Sequence, residues 1–156
     1  MSKNKTDGFT LIELVTVLII VGVLAVAALP RFFDRNTFDS RGFYDQSIAT
    51  LRYAQKIAIA QHRFVCVAFP TSSSIKLTFD ATPPSTAHTA ATCPGSPLTG
   101  PDGKSPYVVT APSGVTLSGY ADFNFNALGK TSPKQDISVL GYAHHIFVET
   151  ETGYVH

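Results

Sequence analysis

Residues 9–29 read FTLIELVTVLIIVGVLAVAAL, a run of 21 residues whose polar side chains are Thr10, Glu13 and Thr16 alone. At 1.5 Å per helical residue such a run spans about 31 Å, against a bilayer hydrocarbon core of about 30 Å, so it is long enough to cross a membrane. Ahead of it stands Met-Ser-Lys-Asn-Lys-Thr-Asp-Gly, where Lys3 and Lys5 put excess positive charge on the N-terminal side. The positive-inside rule then leaves this end in the cytoplasm and exports the chain beyond residue 29. A cleaved secretory signal is the competing reading, since Ala25, Ala27 and Ala28 offer small residues for a cut near Ala28 or Leu29. Glu13 argues against it. An acidic side chain costs roughly 2.5 to 3.5 kcal/mol at the middle of a membrane helix, less near its end, and is there by default a functional group.

The chain of 156 residues and 16.7 kDa has room for one core and not for two enzyme lobes. Charged residues make up 15% and hydrophobic residues 44%. An ordinary soluble domain carries roughly 25% charge, so some part of this chain avoids water. An aromatic content of 11% is enough to build a core and excludes a disordered chain. Twelve Lys and Arg against eleven Asp and Glu give a formal charge of +1, which excludes a global basic field for holding nucleic acid. Cys66 and Cys93 exclude a four-cysteine zinc site and leave either one disulfide or two free thiols.

Beyond the run, Pro30 removes a backbone donor and can bend a helix without ending it, while Arg31, Arg35 and Arg41 supply charge for water to solvate. Tyr44, Ile48, Leu51, Gln55 and Ala58 then recur at steps of three and four, widened by Phe43, Ala54 and Ile57. The pattern predicts an amphipathic helix from about Thr37 to Gln61, continuous with the apolar run, weak near Gly42 and pressing its stripe against a sheet. From Arg63 the period falls to two. Arg63 to Phe69 and Ser74 to Asp80 read as a hairpin around Thr71-Ser72-Ser73. Further strands are expected at Tyr107 to Thr110, Val115 to Tyr120, Phe123 to Phe125, Ile137 to Gly141, His145 to Glu149 and Tyr154 to Val155. Residues 81–106 hold Pro83, Pro84, Pro94, Pro97, Pro101 and Pro106 among Ser, Thr, Ala and Gly, a long loop that needs a tether or a purpose.

Taken together, Gly8-Phe9-Thr10-Leu11-Ile12-Glu13-Leu14, the short basic leader and the apolar helix resemble the N-terminal signature of type IV pilins and of type II secretion pseudopilins. The resemblance implies that a prepilin peptidase on the cytoplasmic face cuts between Gly8 and Phe9, methylates the new amine of Phe9, and leaves the membrane helix in place. It also implies an assembly role for Glu13, whose carboxylate meets the terminal amine of an adjoining subunit and, in a low dielectric, sets the axial register. The alternatives are that Glu13 snorkels to the interface or pairs with the amine of its own chain. Cutting the leader removes Lys3, Lys5 and Asp7 and leaves ten basic and ten acidic side chains.

Phe43 to Ala60, centred on Leu51-Arg52-Tyr53-Ala54-Gln55, resembles the GspH/FimT group of minor pilins and minor pseudopilins, as do Phe123 to Gly129 and Glu149 to Tyr154. The implied fold is α+β and type IV pilin-like: a long N-terminal α-helix, membrane-spanning in its first half, packed on an antiparallel β-sheet domain. The expected divisions are a leader at 1–8, a transmembrane helix at 9–29, its continuation at 30–62, and a periplasmic β domain at 63–156 with the proline-rich loop at 81–106. The implied function is a minor pilin or minor pseudopilin that initiates or caps a type IV pilus, an MSHA-like pilus or a type II secretion pseudopilus, near the tip. A tip adhesin or DNA-capturing subunit is the other reading. Implied partners are other major and minor pilins or pseudopilins, the prepilin peptidase, the inner-membrane assembly platform and inner-membrane lipid.

In the oxidising periplasm that this resemblance implies, Cys66 and Cys93 most simply join, tying the loop to the first strand. Closing about 27 residues in this way stabilises by about 3.5 kcal/mol on the chain-entropy account. A buried free Cys66 with an exposed Cys93 is the alternative. His62, His88, His144, His145 and His156 contain no pair at helical i, i+4 spacing, and His144 and His145 point to opposite faces of a strand, so no metal is expected. No nucleophile elbow, phosphate-binding loop or dinucleotide fingerprint follows a strand, so no catalytic residue and no cofactor is expected. Arg52-Tyr53 reads as an exposed helix face beside an amphipathic aromatic. Arg52, Lys56 and Arg63 form the one close basic cluster, while Glu149 to His156 carry two carboxylates and neither Lys nor Arg. Such a tail repels phosphate, and no nucleic-acid partner is expected.

Overall fold

The computed structural model describes residues 9–82 and 91–156, with the side chains of residues 27–35 also outside the description. The leader 1–8 with Gly8, the bend expected at Pro30, the charges of Arg31 and Arg35, and Pro83, Pro84 and His88 of the loop therefore lie outside the described residues. A helix, α1, covers Leu11–Gln61. The chain divides into two compact units, Met1–Arg35 and Asn36–His156.

In the first unit every side chain from Phe9 to Val26 is exposed. Ile12 (67%), Val17 (49%) and Leu18 (64%) point to different sides of the helix at about 100° per residue. A helix apolar on all sides is stable only when other apolar matter covers it. Among the described residues no helix is long and apolar enough to cross a membrane. The described side chains of the run stop at Val26, and Leu11 to Val26 rise only about 24 Å against a hydrocarbon core of about 30 Å.

In the second unit α1 has two distinct faces. Ser40, Phe43, Ser47, Thr50, Leu51, Ala54 and Ala58 are buried, at steps of three and four with one extra residue. Of the stripe expected from the sequence, Phe43, Leu51, Ala54 and Ala58 are in the core and Tyr44, Ile48 and Ile57 pack half-buried against it, while Ser40, Ser47 and Thr50 join the buried face unannounced. These hydroxyl residues serve as core. Ser47 and Thr50 donate to the carbonyls of Phe43 (2.7 Å) and Gln46 (2.8 Å) one turn back, so their small side chains are buried without an orphaned group. The weak point expected near Gly42 is also corrected, because the helix passes it without a break. Gly42 is exposed while Ser40 and Phe43 are buried, and their packing outweighs the roughly 1 kcal/mol that a helical glycine costs. The helix ends in a Schellman turn: Arg63 N–H donates to Ala58 C=O (3.2 Å), His62 N–H donates to Ile59 C=O (3.3 Å), and His62 takes φ 49°.

Seven strands complete the second unit: β1 Val65–Thr71, β2 Ser74–Phe79, β3 Tyr107–Thr110, β4 Leu117–Ser118, β5 Phe123–Phe125, β6 Gln135–Val139 and β7 His145–Val148. They form two antiparallel sheets, ordered β3-β2-β1-β5 and β4-β6-β7, which with α1 make the expected α+β arrangement of helix on antiparallel sheet. The split arises because, among the described residues, the two-residue β4 pairs only with β6, through Leu117↔Val139 and Ser118↔Ser138, and β5, paired to β1 on one edge, has on its other edge only the isolated bridge Phe125↔Thr131. Pairing of β1 with β5 stops at Val67↔Phe123. Beyond it the register of β1 slips between Ala68 and Thr71, where Pro70 has no amide to donate. The Phe69 N–H there is satisfied by Asp122 Oδ1 at 2.8 Å.

Leu51, Ala54 and Ala58 of α1 share one continuous core with Val65, Val67, Leu77, Phe125, Ile137 and Ile146 from both sheets. The described part of the loop after Ala91 returns beside β2. Ala81 N–H donates to Thr92 C=O (3.3 Å) and Phe79 N–H to Ser96 C=O (2.8 Å), while Leu98 enters the core. Cys66 and Cys93 are joined, with Cα atoms 5.9 Å apart. Gly95 is required at the crossing, because a Cβ there would lie 1.8 Å from the Phe79 carbonyl oxygen.

Candidate assembly site

The N-terminal residues singled out by the sequence are arranged by the start of α1. Phe9 is 81% exposed. Thr10 caps the helix: Glu13 N–H donates to its carbonyl (3.1 Å) and its Oγ1 (3.3 Å), which satisfies one of the donors that a first turn leaves open. Thr16 Oγ1 donates to the carbonyls of Ile12 (3.0 Å) and Glu13 (2.9 Å). Both threonines of the run are thus absorbed by the helix backbone. Glu13 stands in the first turn, where the helix dipole favours a negative charge, and among the described residues its carboxylate has no partner. Thr10 followed by Glu13 three places on is a capping-box pattern, a signal in the sequence that identifies the helix start.

The second arrangement is a clamp on the far stretch of α1, where Arg52 is exposed and Tyr53 half-buried, as expected from the sequence, and both also hold loop carbonyls. Arg52 donates from Nε (3.2 Å) and Nη2 (2.9 Å) to the Val155 carbonyl. Tyr53 Oη donates to Thr99 C=O (2.8 Å), and Gln55 Nε2 to the carbonyls of Gly129 (3.1 Å) and Thr152 (2.8 Å). Leu51 and Ala54 between them are fully buried. Each residue of Leu51-Arg52-Tyr53-Ala54-Gln55 therefore either fills the core or binds a loop carbonyl. Burial, then Tyr107 and Asp102, push the Tyr53 hydroxyl above its ordinary value, so it keeps the proton it donates. Gly153 is part of the same clamp. It has φ 62°, and a Cβ there would lie 1.8 Å from the Gly129 carbonyl oxygen and 2.7 Å from Gln55 Nε2.

The remaining candidates are dispersed. Arg63 Nη2 donates to the Asp80 carbonyl and its guanidinium lies 5.2 Å from the Phe79 ring centroid, so two members of the basic cluster are occupied holding backbone. His145 Nδ1 lies 2.6 Å from Asp136 Oδ1, His156 Nε2 lies 3.3 Å from Glu149 Oε1, and His144 packs against Tyr142 at 5.1 Å between centroids. Among the described residues no group of three His, Cys, Asp or Glu could hold a metal ion. Both carboxylates of the tail are paired with lysines from outside it. Lys134 Nζ lies 2.7 Å from Glu149 and Lys130 Nζ lies 2.8 Å from Glu151. Hydrogen bonds from Lys134 and His156 hold the Glu149 carboxyl below its ordinary value, and one from Lys130 does the same for Glu151.

Known proteins match part of this chain. Residues 3–29 match the prokaryotic N-terminal methylation motif. Over 57 residues the chain is 40% identical to the type IV narrow pilus major component PilA5 of Thermus thermophilus, a match covering 36% of this chain and 49%, about half, of that protein. No solved structure matches the chain. The motif heads an N-terminal helix whose far stretch packs on antiparallel sheet. The chain therefore carries the N-terminal methylation motif and is similar over part of its length to a type IV pilin.

Proposed function

We propose that the protein is a minor pilin or minor pseudopilin, a structural subunit that initiates or caps a type IV pilus, an MSHA-like pilus or a type II secretion pseudopilus. The prepilin peptidase cuts between Gly8 and Phe9 and methylates the Phe9 amine. Residues 9–29 span the inner membrane once, with the N-terminus cytoplasmic and residues 63–156 in the periplasm beyond the continuing helix at 30–62. During assembly at the inner-membrane platform the apolar helices of neighbouring pilins cover one another. Glu13 meets the terminal amine of an adjoining subunit, and that pairing selects the axial register.

One observation carries this reading: a helix exposed and apolar on all sides bears a first-turn carboxylate with no partner among the described residues. Both features ask for surroundings from outside the chain. The choice of a minor subunit rests on the GspH/FimT resemblance of residues 51–55, 123–129 and 149–154. The test is Glu13→Val in the natural host. Membrane fractionation and the mass of the processed, methylated chain are expected to be unchanged, while fibre number falls at least severalfold. Normal fibre number would overturn the role of Glu13, and copies as numerous as the principal fibre subunit would overturn the minor role.

A further inference from the structure

The sheet β3-β2-β1-β5 ends on one side in β3, which is paired as a strand with β2 alone among the described residues. Ala111 N–H donates to Ser73 C=O (2.8 Å), in line with the pairs Ser74↔Thr110 and Ile75↔Val109. Bonded pairs alternate along an antiparallel ladder, so Val109 turns its peptide groups toward β2, while Val108 and Thr110 turn theirs away from it. Among the described residues nothing bonds to these outward groups. Val108 is 43% exposed and Thr110 is exposed, whereas Val109 is buried. From Ser105 to Tyr120 the chain carries no Asp, Glu, Lys or Arg. Asp102 and Lys104 come before the strand and pair with each other (3.7 Å), and Lys76 stands opposite Val108 on β2, one strand back from the edge. An uncharged, partly apolar edge is a template for a further strand. This edge also has a two-fold symmetry of its own, because Pro106 and Pro112, which have no N–H, stand three residues to either side of Val109.

We infer that β3 pairs antiparallel with β3 of a second copy of this chain, about a two-fold axis through Val109. In that register Val108 faces Thr110 of the second copy, and each such pair exchanges both of its N–H···O bonds. Every outward N–H and C=O of Val108 and Thr110 is then taken up, and the prolines oppose one another. A slip of two residues either way sets the outward carbonyl of Val108 or of Thr110 against a proline that has no N–H to give. The edge is therefore complementary to itself, which selects a second copy over an arbitrary extended segment. The two Lys76 side chains are then three strand spacings apart, about 14 Å, beyond the Debye length of about 8 Å at physiological salt. One short strand buries less than the roughly 1,200 Å² of a standard interface, so the pairing is reversible and rises with concentration. It concerns the sheet alone and does not depend on the roles of Glu13 or of residues 9–29.

The test is thiol cross-linking of the full chain in detergent micelles at rising protein concentration. Cys66 and Cys93 are joined, so a single introduced cysteine is the only free thiol. Residues 108 of the two copies are diagonal neighbours across the paired strands, about 7 to 8 Å apart and within reach of a short bismaleimide. Val108→Cys is expected to give severalfold more covalent dimer than Leu128→Cys, at a position 74% exposed on the turn before Gly129. Thr110→Pro, added to Val108→Cys, removes an outward N–H and no bond to β2, and is expected to bring the yield down to that of Leu128→Cys. Thr110→Lys, which sets a charge on the edge, gives a second reading if circular dichroism shows the proline variant misfolded. Equal yields at 108 and 128, or a yield at 108 that neither substitution of Thr110 lowers, overturn the inference. A Val108→Cys chain that forms no dimer but links to a different polypeptide in native membranes assigns the edge to that polypeptide and overturns the self-pairing.

Discussion

The stretches of α1 at Leu11–Val26 and Asn36–Gln61 share a backbone conformation and differ in where their surroundings come from. In the first, every side chain is exposed. In the second, residues three and four apart are buried against strands of the same chain, and Arg52, Tyr53 and Gln55 bind carbonyls 46 to 103 residues away. Propensity alone stabilises neither, since most helical stability in proteins comes from packing one face. The difference teaches that a single helix can be half self-sufficient and half dependent on apolar matter supplied from elsewhere.

The strongest way to break this comparison is truncation of an apolar side chain in each stretch. Leu51→Ala is expected to lower the unfolding free energy by about 2 to 5 kcal/mol, whereas Leu18→Ala should change it by less than about 0.5 kcal/mol. Urea unfolding of the detergent-solubilised chain, followed by circular dichroism, checks both, and equal losses would sink the contrast. Arg52→Ala sharpens it next. Losing two charge-assisted bonds to Val155 should cost about 1.5 to 3 kcal/mol, read in the same urea series, with faster amide exchange at residues 153–156. His62→Gly should stabilise by about 0.5 to 1 kcal/mol, since glycine meets the positive φ of the Schellman turn without the Cβ clash. The smallest effect is in acid. Glu149 and Glu151 are held below their ordinary values, so their contribution is complete above the unfolded glutamate value of about 4.3 and is lost as pH falls through the lowered folded values. Glu149→Gln should therefore flatten the acid limb of a series of thermal melts slightly and leave the dependence on pH near neutrality unchanged.

Much of this architecture is written in local pattern. The apolar and β-branched runs at Val65–Thr71, Ser74–Phe79 and His145–Val148 mark strands, the first two buried on both faces and the third on one, and the turn between β1 and β2 follows from Ser72 and Ser73. The pairing of Cys66 with Cys93 follows from the compartment that the N-terminal signature implies. The buried face of the helix was harder to read, because hydropathy counts Ser40, Ser47 and Thr50 as polar while their hydroxyls are satisfied on carbonyls. The clamp was illegible for a different reason. Arg52 and Gln55 bind backbone carbonyls, which every residue possesses, so no side-chain pattern at Gly129, Thr152 or Val155 announces the contact. The number of sheets was equally hidden, since it turns on the two-residue length of β4.

The Arg52 bond to Val155 also closes part of one sheet edge. Phe147 and His156 exchange N–H···O bonds of 2.8 and 3.0 Å, so the intervening Val155 turns its own peptide groups away from β7. Its carbonyl would present itself to any passing extended chain, and the guanidinium occupies it. This edge therefore has one acceptor fewer to offer an added strand.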